Sequence, residues 1–422
     1  MSISKTVLRN CLRDQRDMIM DATIVERDFE FEENGCYVFV GVRHAGKSYL
    51  LYQRMKQLLA HGYDWSNLLY VNFDDERLTE FSTEDFNTLL EVHYEDYGKK
   101  PIVFLDEVQR IEKWEMFARR LANEKYIVYI TGSNAKMLSK DVATTLGGRF
   151  FIIDVYPYSF KEFIKANQLE LGEGWAFSTI ERSSVVRLYK EYLRCGGMPE
   201  LLEYRQKRER LSSLYQKIYL GDICARYNIQ NDRALRILIK KLAESVKQPL
   251  SYNRMHNVVV STGCKISLPT IIDYVNHTED SWLIIPVRNE LSSLSEKEGN
   301  RKYYFIDNGL LNLFLTDSET SLLENLVGMQ LCRHYGKNEI GYFKAENEID
   351  FVVPDSQIAI QVCFNLTDEQ TRNREIPSLI RFIKKHPDWS GIIVTNDESE
   401  VIKEAGVRVE AIPAWKWLLQ CN

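Results

Sequence analysis

The sequence predicts an α/β fold, and three features carry that expectation: short apolar strand-like runs alternate with helical runs, a glycine-flanked loop joins an early strand to a helix, and a later strand ends in two carboxylates. The loop is Gly41-Val42-Arg43-His44-Ala45-Gly46-Lys47-Ser48, preceded by the apolar run from Cys36 to Val40 and followed by a helical run from Tyr49 to Leu59. It matches G-x-x-x-x-G-K-[ST] in a strand–loop–helix setting, the pattern of a phosphate cradle. Glycines at both ends let the loop turn tightly, so that backbone N–H groups and a helix N-terminus face one anion. Lys47 is expected to reach the β- and γ-phosphates, and the Ser48 hydroxyl to ligate Mg²⁺. The eight loop residues and Tyr49, which opens the helix, form the candidate nucleotide site.

At 422 residues the chain exceeds one ordinary core, so several domains are expected. A hydrophobic fraction of 45% with 27% charged residues is that of a globular protein, and a net charge of −6 supplies no overall basic field for nucleic acid or an anionic membrane. The first residues, MSISKTVLRNCLRDQRD, are charged throughout and lack the apolar stretch of a secretory signal, and no run approaches a membrane span. A cytoplasmic location without membrane contact is therefore expected. The eight cysteines are scattered with no C-x-x-C pair, which indicates neither a disulfide frame nor a zinc site.

Residues 1 to 35 read as a leading helix, Lys5 to Met20, and an extended entry, with no chemistry assigned. After the P-loop helix comes a buried strand, Asn67 to Phe73, bounded by His61-Gly62 and Asp74-Asp75-Glu76, then a helical stretch from Thr83 to Tyr97. The apolar strand beginning at Pro101 ends in Asp106-Glu107, roughly 60 residues after the P-loop. Carboxylates at a strand's C-terminal end sit in the crevice where α/β sheets bind ligands. Asp106 is assigned to Mg²⁺, and Glu107 to orienting and deprotonating the attacking water. The strand at 67–73, lying between the two motifs, places the chain in the P-loop branch with an additional central strand and a catalytic Glu. No Asn-Lys-x-Asp guanine reader occurs, which favours ATP.

The strand starting at Tyr126 ends in Thr131-Gly-Ser133-Asn134. Ser133 and Asn134 are candidates to hold the lytic water beside the γ-phosphate, as the sensor strand of AAA-type ATPases does; a helix N-cap explains the same residues. Arg149, just before the strand Phe150 to Val155, is a candidate arginine finger.

Taken together, GVRHAGKS, IVFLDEVQ, ITGSNAKML, LGGRF, YPYSFKEF and YLRCGGMPE resemble a prokaryotic AAA-like ATPase family that joins a P-loop module to a winged helix and a C-terminal restriction-endonuclease-like domain of unknown function. The resemblance runs through most of the chain. It departs at His44-Ala45, where a second arginine and a branched residue are expected. It implies a P-loop ATPase domain over 1–157, a helical lid over 158–230, a winged-helix domain over 231–306 and a degenerate nuclease-like domain over 307–422. In related signalling and origin-recognition-like ATPases a Gly-x-Pro in the lid touches the base, so Gly197, Met198 and Pro199 are candidates, with a helix-terminating turn as the other reading. The stretch Ile218 to Tyr227 also resembles the family and carries no chemistry.

From about 232 the pattern is three helices, Ala234 to Val246, Tyr252 to Thr262 and Leu268 to Asn276, then two strands, Trp282 to Val287 and Lys302 to Ile306. This order fits a winged helix-turn-helix. The segment Ser267 to Asp280 contains no Arg or Lys and three carboxylates, so base reading looks weak and protein contact explains it better, although Arg301 and Lys302 could touch phosphates. In the tail, Glu324 and Asp350 match a nuclease's carboxylates, while Gln361 and Cys363 stand where Glu and Lys are needed. A neutral amide and a thiol of ordinary pKa, near 8.5, replace neither. The tail is therefore expected to have lost one carboxylate and its cation, and to be inactive as a nuclease.

The reading that results is an ATP- and Mg²⁺-dependent ATPase acting as a nucleotide-driven switch. The alternatives are a DNA-binding or DNA-processing ATPase and a nucleotide-binding scaffold without turnover. A protein partner is expected through the winged-helix and C-terminal regions, DNA is less favoured, and Arg149 hints at an oligomer because a finger acting in trans needs a neighbour.

Overall fold

The computed structural model describes residues 3–133, 137, 140–290, 299–345 and 347–421, apart from the side chains of 140, 141 and 143. The chain divides into two compact units, Met1–Tyr156 and Pro157–Asn422.

The first unit runs α1 (Lys5–Asp21), β1 (Cys36–Val40), α2 (Lys47–Ala60), β2 (Leu68–Asn72), α3 (Phe86–Tyr97), β3 (Ile102–Asp106), α4 (Trp114–Asn123), β4 (Val128–Gly132), α5 (Lys140–Leu146) and β5 (Phe150–Asp154). Its five strands are parallel, in the order β2-β3-β4-β1-β5. β1, β3 and β4 are buried at every position, as strands covered by helices on both faces must be. The additional-strand branch holds, but a different strand earns it. β4 lies between β1 and β3, whereas the strand at 67–73, expected to fill that role, forms β2 at the sheet edge. Chain order misled because each parallel crossover runs through a helix, which lets consecutive strands land apart in the sheet.

Helix α1 closes that edge. Gln15, buried, accepts from the Asn72 N–H at 2.9 Å and donates to the Asn72 carbonyl at 3.3 Å and to Asp75 Oδ2 at 3.0 Å. The leading segment thus satisfies backbone groups that a bare edge strand leaves open to another chain.

The second unit begins with helices α6 (Phe160–Ala166), α7 (Thr179–Cys195) and α8 (Lys207–Lys217), the last running into a π-helical stretch, Ile218–Ala225. Next come α9 (Asp232–Glu244), β6 (Leu250–Ser251), α10 (Tyr252–Ser261), α11 (Leu268–Asp280), β7 (Ile284–Asn289) and β8 (Asn300–Phe305). The tail follows as α12 (Asn308–Asn312), α13 (Glu319–Tyr335), β9 (Gly341–Lys344), β10 (Glu348–Val353), β11 (Ile358–Cys363), α14 (Glu369–Lys385), β12 (Ser390–Thr395), β13 (Glu400–Glu404), β14 (Val407–Pro413) and α15 (Ala414–Gln420).

The nine strands among this unit's described residues form one mixed sheet, ordered β13-β14-β12-β11-β10-β9-β7-β8-β6. β7 and β8 pair antiparallel, and β7 pairs in parallel with β9 through Arg288 opposite Gly341. The expected 306/307 boundary therefore falls inside a continuous sheet, where β8 hands over to α12. Against the tail end of that sheet α14 packs Ile376, Leu379, Ile380 and Ile383 over Ile349, Val352, Ile393 and Ala411.

A buried polar knot joins these layers. Asn325 on α13 accepts from the Phe305 N–H at 2.7 Å and donates to the Phe305 carbonyl and to Asn308 Oδ1, both at 2.9 Å. Asn308 in turn donates to the carbonyls of Leu193 on α7 and Leu322 on α13, each at 2.9 Å. Asp307, its pKa pushed up to about 6 by burial, accepts from the Gly197 N–H at 2.7 Å and the Gly309 N–H at 2.8 Å.

Replacing Asn325 by Leu puts two bulkier methyl groups where the amide stood and leaves the Phe305 amide and Asn308 without their partner inside the core. Stability should fall by about 3 kcal/mol, read as a lower urea midpoint for the second unit.

Candidate functional site

The P-loop conformation follows from three backbone demands. A side chain on Gly41 would stand 2.1 Å from the Val155 carbonyl oxygen, so the loop can lie against β5 only with glycine there. Gly46, at φ 91°, is the left-handed N-cap that turns the loop into α2. His44 adopts φ 63°, a left-handed conformation that His enters more readily than most residues with a side chain. Ala45 is fully buried, and its carbonyl accepts from Arg27 Nη2 at 2.9 Å while Nη1 of the same guanidinium donates to the Tyr156 carbonyl at 2.9 Å. Arg27, from the segment to which no chemistry was assigned, braces the loop from outside.

Lys47 is 3% exposed, and its Nζ donates to the carbonyls of Gly41 and Val42 at 3.1 and 3.0 Å. The ammonium is thereby folded back over the loop at the N-terminus of α2, where the helix dipole also favours an anion. Val42 is buried, Arg43 and His44 are half-buried, and Tyr49 is exposed at the start of α2.

Across the sheet, β3 ends in Asp106, which is fully buried. Oδ2 accepts from the Tyr70 hydroxyl at 2.7 Å, and Oδ1 accepts from the Thr131 hydroxyl. Burial and the neighbouring Glu107 charge raise its pKa, while hydrogen bonds from Thr131, Tyr70 and Ser48 pull it back. The Ser48 contact joins the P-loop helix to this carboxylate. A buried carboxylate of raised pKa that touches a P-loop hydroxyl fits a divalent cation, whose charge would favour the ionised form.

Glu107 has φ 53°, an uncommon conformation for a residue with a side chain, and its N–H donates to Thr131 Oγ1 at 3.0 Å. One carboxylate oxygen, Oε2, accepts from Ser133 Oγ at 3.2 Å and from Gln109 Nε2. Gln109 also donates to Ser133 Oγ at 3.2 Å. The strand inserted between β1 and β3 thus supplies Thr131 and Ser133, which fix both carboxylates. Sequence reading singled out Ser133 but missed Thr131, Tyr70 and Gln109; the polar end of β4 was the available signal for Thr131.

The remaining candidates divide by position. Asn134 lies outside the described residues. Arg149 precedes β5 and is exposed, with Nη1 donating to the Gly147 carbonyl at 3.3 Å. Gly197, Met198 and Pro199 belong to the second unit, where Gly197 is held by Asp307 and its carbonyl accepts from the Tyr158 N–H at 2.8 Å, and Met198 is 1% exposed. Pro199 starts a short 3-10 turn, Pro199–Glu203.

The tail centre differs from the expectation that its cation is lost. Lys302, on β8, is fully buried, with Nζ 3.1 Å from Glu324 Oε1, 3.3 Å from Asp350 Oδ1 and 3.5 Å from Glu348 Oε1. The sequence alone offers Lys302 as a phosphate contact, because alternation along one strand does not reveal an ion partner on another element. The Tyr304 hydroxyl adds a bond to Glu324 Oε1 at 2.9 Å, and the Val362 N–H one to Asp350 Oδ2 at 2.9 Å. Gln361 donates to Glu375, a carboxylate from α14 that sequence spacing did not reveal. The Cys363 thiol is pushed up to about 12 by burial, further from ionisation than its ordinary value implies. With one ammonium facing three carboxylates, burial raises Glu324 to about 7, and the carboxylates hold Lys302 firmly protonated.

Two family models match the chain: one described as an AAA domain, over residues 33–164, and one described as a domain of unknown function, over residues 186–321. The uncharacterized protein MJ1544 of Methanocaldococcus jannaschii is 31% identical over 98% of this chain and 96% of its own length. An uncharacterized protein of Haemophilus influenzae is 29% identical over 91% of this chain and 94% of its own. Among solved structures, a Walker-type ATPase of Pyrococcus abyssi aligns over 72% of this chain and 94% of its own at 13% identity, with a TM-score of 0.43.

Removing the ammonium by Lys302→Met should cost about 3–5 kcal/mol at neutral pH, because it strands buried carboxylates. A carboxyl whose folded-state pKa exceeds its unfolded value loses its stabilising contribution as pH rises, here from about 4.5 toward 7 for Glu324. Without Lys302 that pKa climbs further. Denaturant titrations should therefore show a larger deficit for Lys302→Met at pH 8 than at pH 5.

Proposed function

The chain belongs to the AAA-like P-loop ATPase family, and on that premise we propose that it binds ATP with Mg²⁺, hydrolyses it, and uses the change of nucleotide to switch the second unit. The observation that carries this reading is the hydrogen-bonded link from Ser48 through Asp106 and Thr131 to Glu107. It ties a phosphate-binding loop to two carboxylates with different surroundings. Asp106 is buried among three hydroxyls and suited to a metal ion, while Glu107 is partly exposed and held by Ser133 and Gln109.

In this reading the backbone from Gly41 to Ser48 and the N-terminus of α2 hold the phosphates, and Lys47 exchanges its two loop carbonyls for phosphate oxygens. Tyr49 lies at the nucleotide's periphery. Ser48 and Asp106 hold Mg²⁺, which neutralises phosphate charge. Glu107, fixed by Ser133 and Gln109, orients a water and accepts its proton. Asn134 assists in placing that water, and Arg149 faces the phosphoryl group in its own subunit or a neighbour's. The helical lid, winged helix and nuclease-like tail form the responding part. Lys302 standing among Glu324, Glu348 and Asp350 supports a tail that serves structure rather than cleavage. The absence of Arg and Lys from α11 supports a protein partner over DNA.

Purified wild-type protein should release phosphate from ATP only with Mg²⁺. Glu107→Gln should lower turnover by about 10²- to 10⁴-fold while ATP binding persists. Lys47→Ala should lose both binding and turnover. Equal turnover by wild type and Glu107→Gln would remove Glu107 from the chemistry.

A further inference from the structure

Within the second unit, a cavity of about 860 Å³ opens beside α7, away from the charged centre around Lys302. Its wall carries Arg182, Arg187 and Lys190 on α7 and Lys416 on α15. Helical spacing explains the alignment. Positions 182, 183, 186, 187 and 190 fall on one face, while Val185, Leu188, Tyr189 and Tyr192 fill the opposite, buried face. None of these four cations has a carboxylate partner among the described residues. One carboxylate lines the cavity, Asp397, and it accepts from Trp415 Nε1 at 2.9 Å. Four unpaired cations beside one engaged carboxylate make a concentrated positive patch on a chain whose net charge is −6.

The apolar part of the site is equally uneven. Phe177, which lines the cavity, is 94% exposed, and Ile180, three residues on at the start of α7, is 81% exposed. Single exposed hydrophobic residues are ordinary. Two large ones this bare, beside an apolar floor of Val186, Pro413 and Trp415 and rimmed by cations, form a surface with both an anchor position and a charge preference.

We propose that this cavity is a docking site for an acidic peptide segment of a partner protein, its carboxylates paired with Arg182, Arg187, Lys190 and Lys416 and an apolar side chain seated on Phe177 and Ile180. Charge complementarity selects the ligand, and the apolar pair supplies the anchor. A single nucleic-acid strand would also meet the cations, but single strands are held on successive rings on which their bases stack. The surface offers one bare ring next to an aliphatic chain. The inference stands on the second unit alone and does not rest on ATP turnover.

Fluorescence anisotropy with the full-length chain tests it. The probes are a short fluorescein-labelled peptide of alternating Glu and Leu, the same peptide with Gln at every Glu, and a labelled oligothymidine of similar length. The wild type should bind the Glu/Leu peptide saturably and the Gln version at least tenfold more weakly. Arg187→Glu/Lys190→Glu should weaken binding about tenfold or more, and Phe177→Ala by a similar factor. All three side chains replaced in these variants face solvent or the cavity, and unchanged thermal melting confirms that the variants fold. Absence of saturable binding, or equal binding by wild type and both variants, overturns the proposal. Oligothymidine binding tighter than the peptide's and lost in the same variants overturns it in favour of nucleic acid.

Discussion

The Thr131 hydroxyl is the interaction on which the first unit's chemistry depends. It donates to Asp106 Oδ1 and accepts from the Glu107 N–H at 3.0 Å, so one side chain fixes the Asp106 carboxylate and the Glu107 backbone. That is geometrically available only because β4 lies beside β3, between it and β1. The hydroxyl also holds Glu107 at φ 53°, which turns its side chain toward Ser133 and Gln109. A hydrogen bond to a buried carboxylate is worth more than one between neutral groups, and leaving the carboxylate unpaired costs more still. The same strand order that defines the fold branch therefore sets the direction in which the candidate base points.

The second unit is organised by burial of charge and amide groups rather than by a single apolar layer. Lys302 reaches three carboxylates from β8, and Asn308 and Asn325 stitch α7, β8 and α13 together. Such a centre is costly to desolvate, yet it is intolerant of alternatives because each partner is required. A continuous nine-stranded sheet follows, running from the hairpin into the tail. Two charged centres, one per unit, thus have opposite characters: at the P-loop the cation covers backbone carbonyls that an anion can replace, whereas at Lys302 it is committed to carboxylates.

What could be read from sequence was what is local. The P-loop, the strand ending in Asp106-Glu107, the alternation of strands and helices and the leading helix are set by short-range patterns, and each stands where those patterns indicate. What escaped were pairings between distant segments. The order of strands across the sheet, Arg27 bracing Ala45, Lys302 among carboxylates from α13 and β10, and Glu375 behind Gln361 leave no periodic trace, because each depends on which elements the fold brings together. The tail's cation escapes for that reason: position 363, two residues beyond Gln361, holds Cys, and the ammonium arrives instead from another strand.

The account's central claim is that the Thr131 link aligns Asp106 and Glu107 for chemistry on ATP bound at the P-loop. Single-turnover hydrolysis of γ-labelled ATP by Thr131→Val, with ATP affinity measured on the same samples, tests it most directly. The account predicts near wild-type affinity with the chemical step slowed by about tenfold or more, the equivalent of roughly 1.4 kcal/mol or more of lost alignment. An unchanged single-turnover rate in a folded, ATP-binding Thr131→Val protein would contradict it.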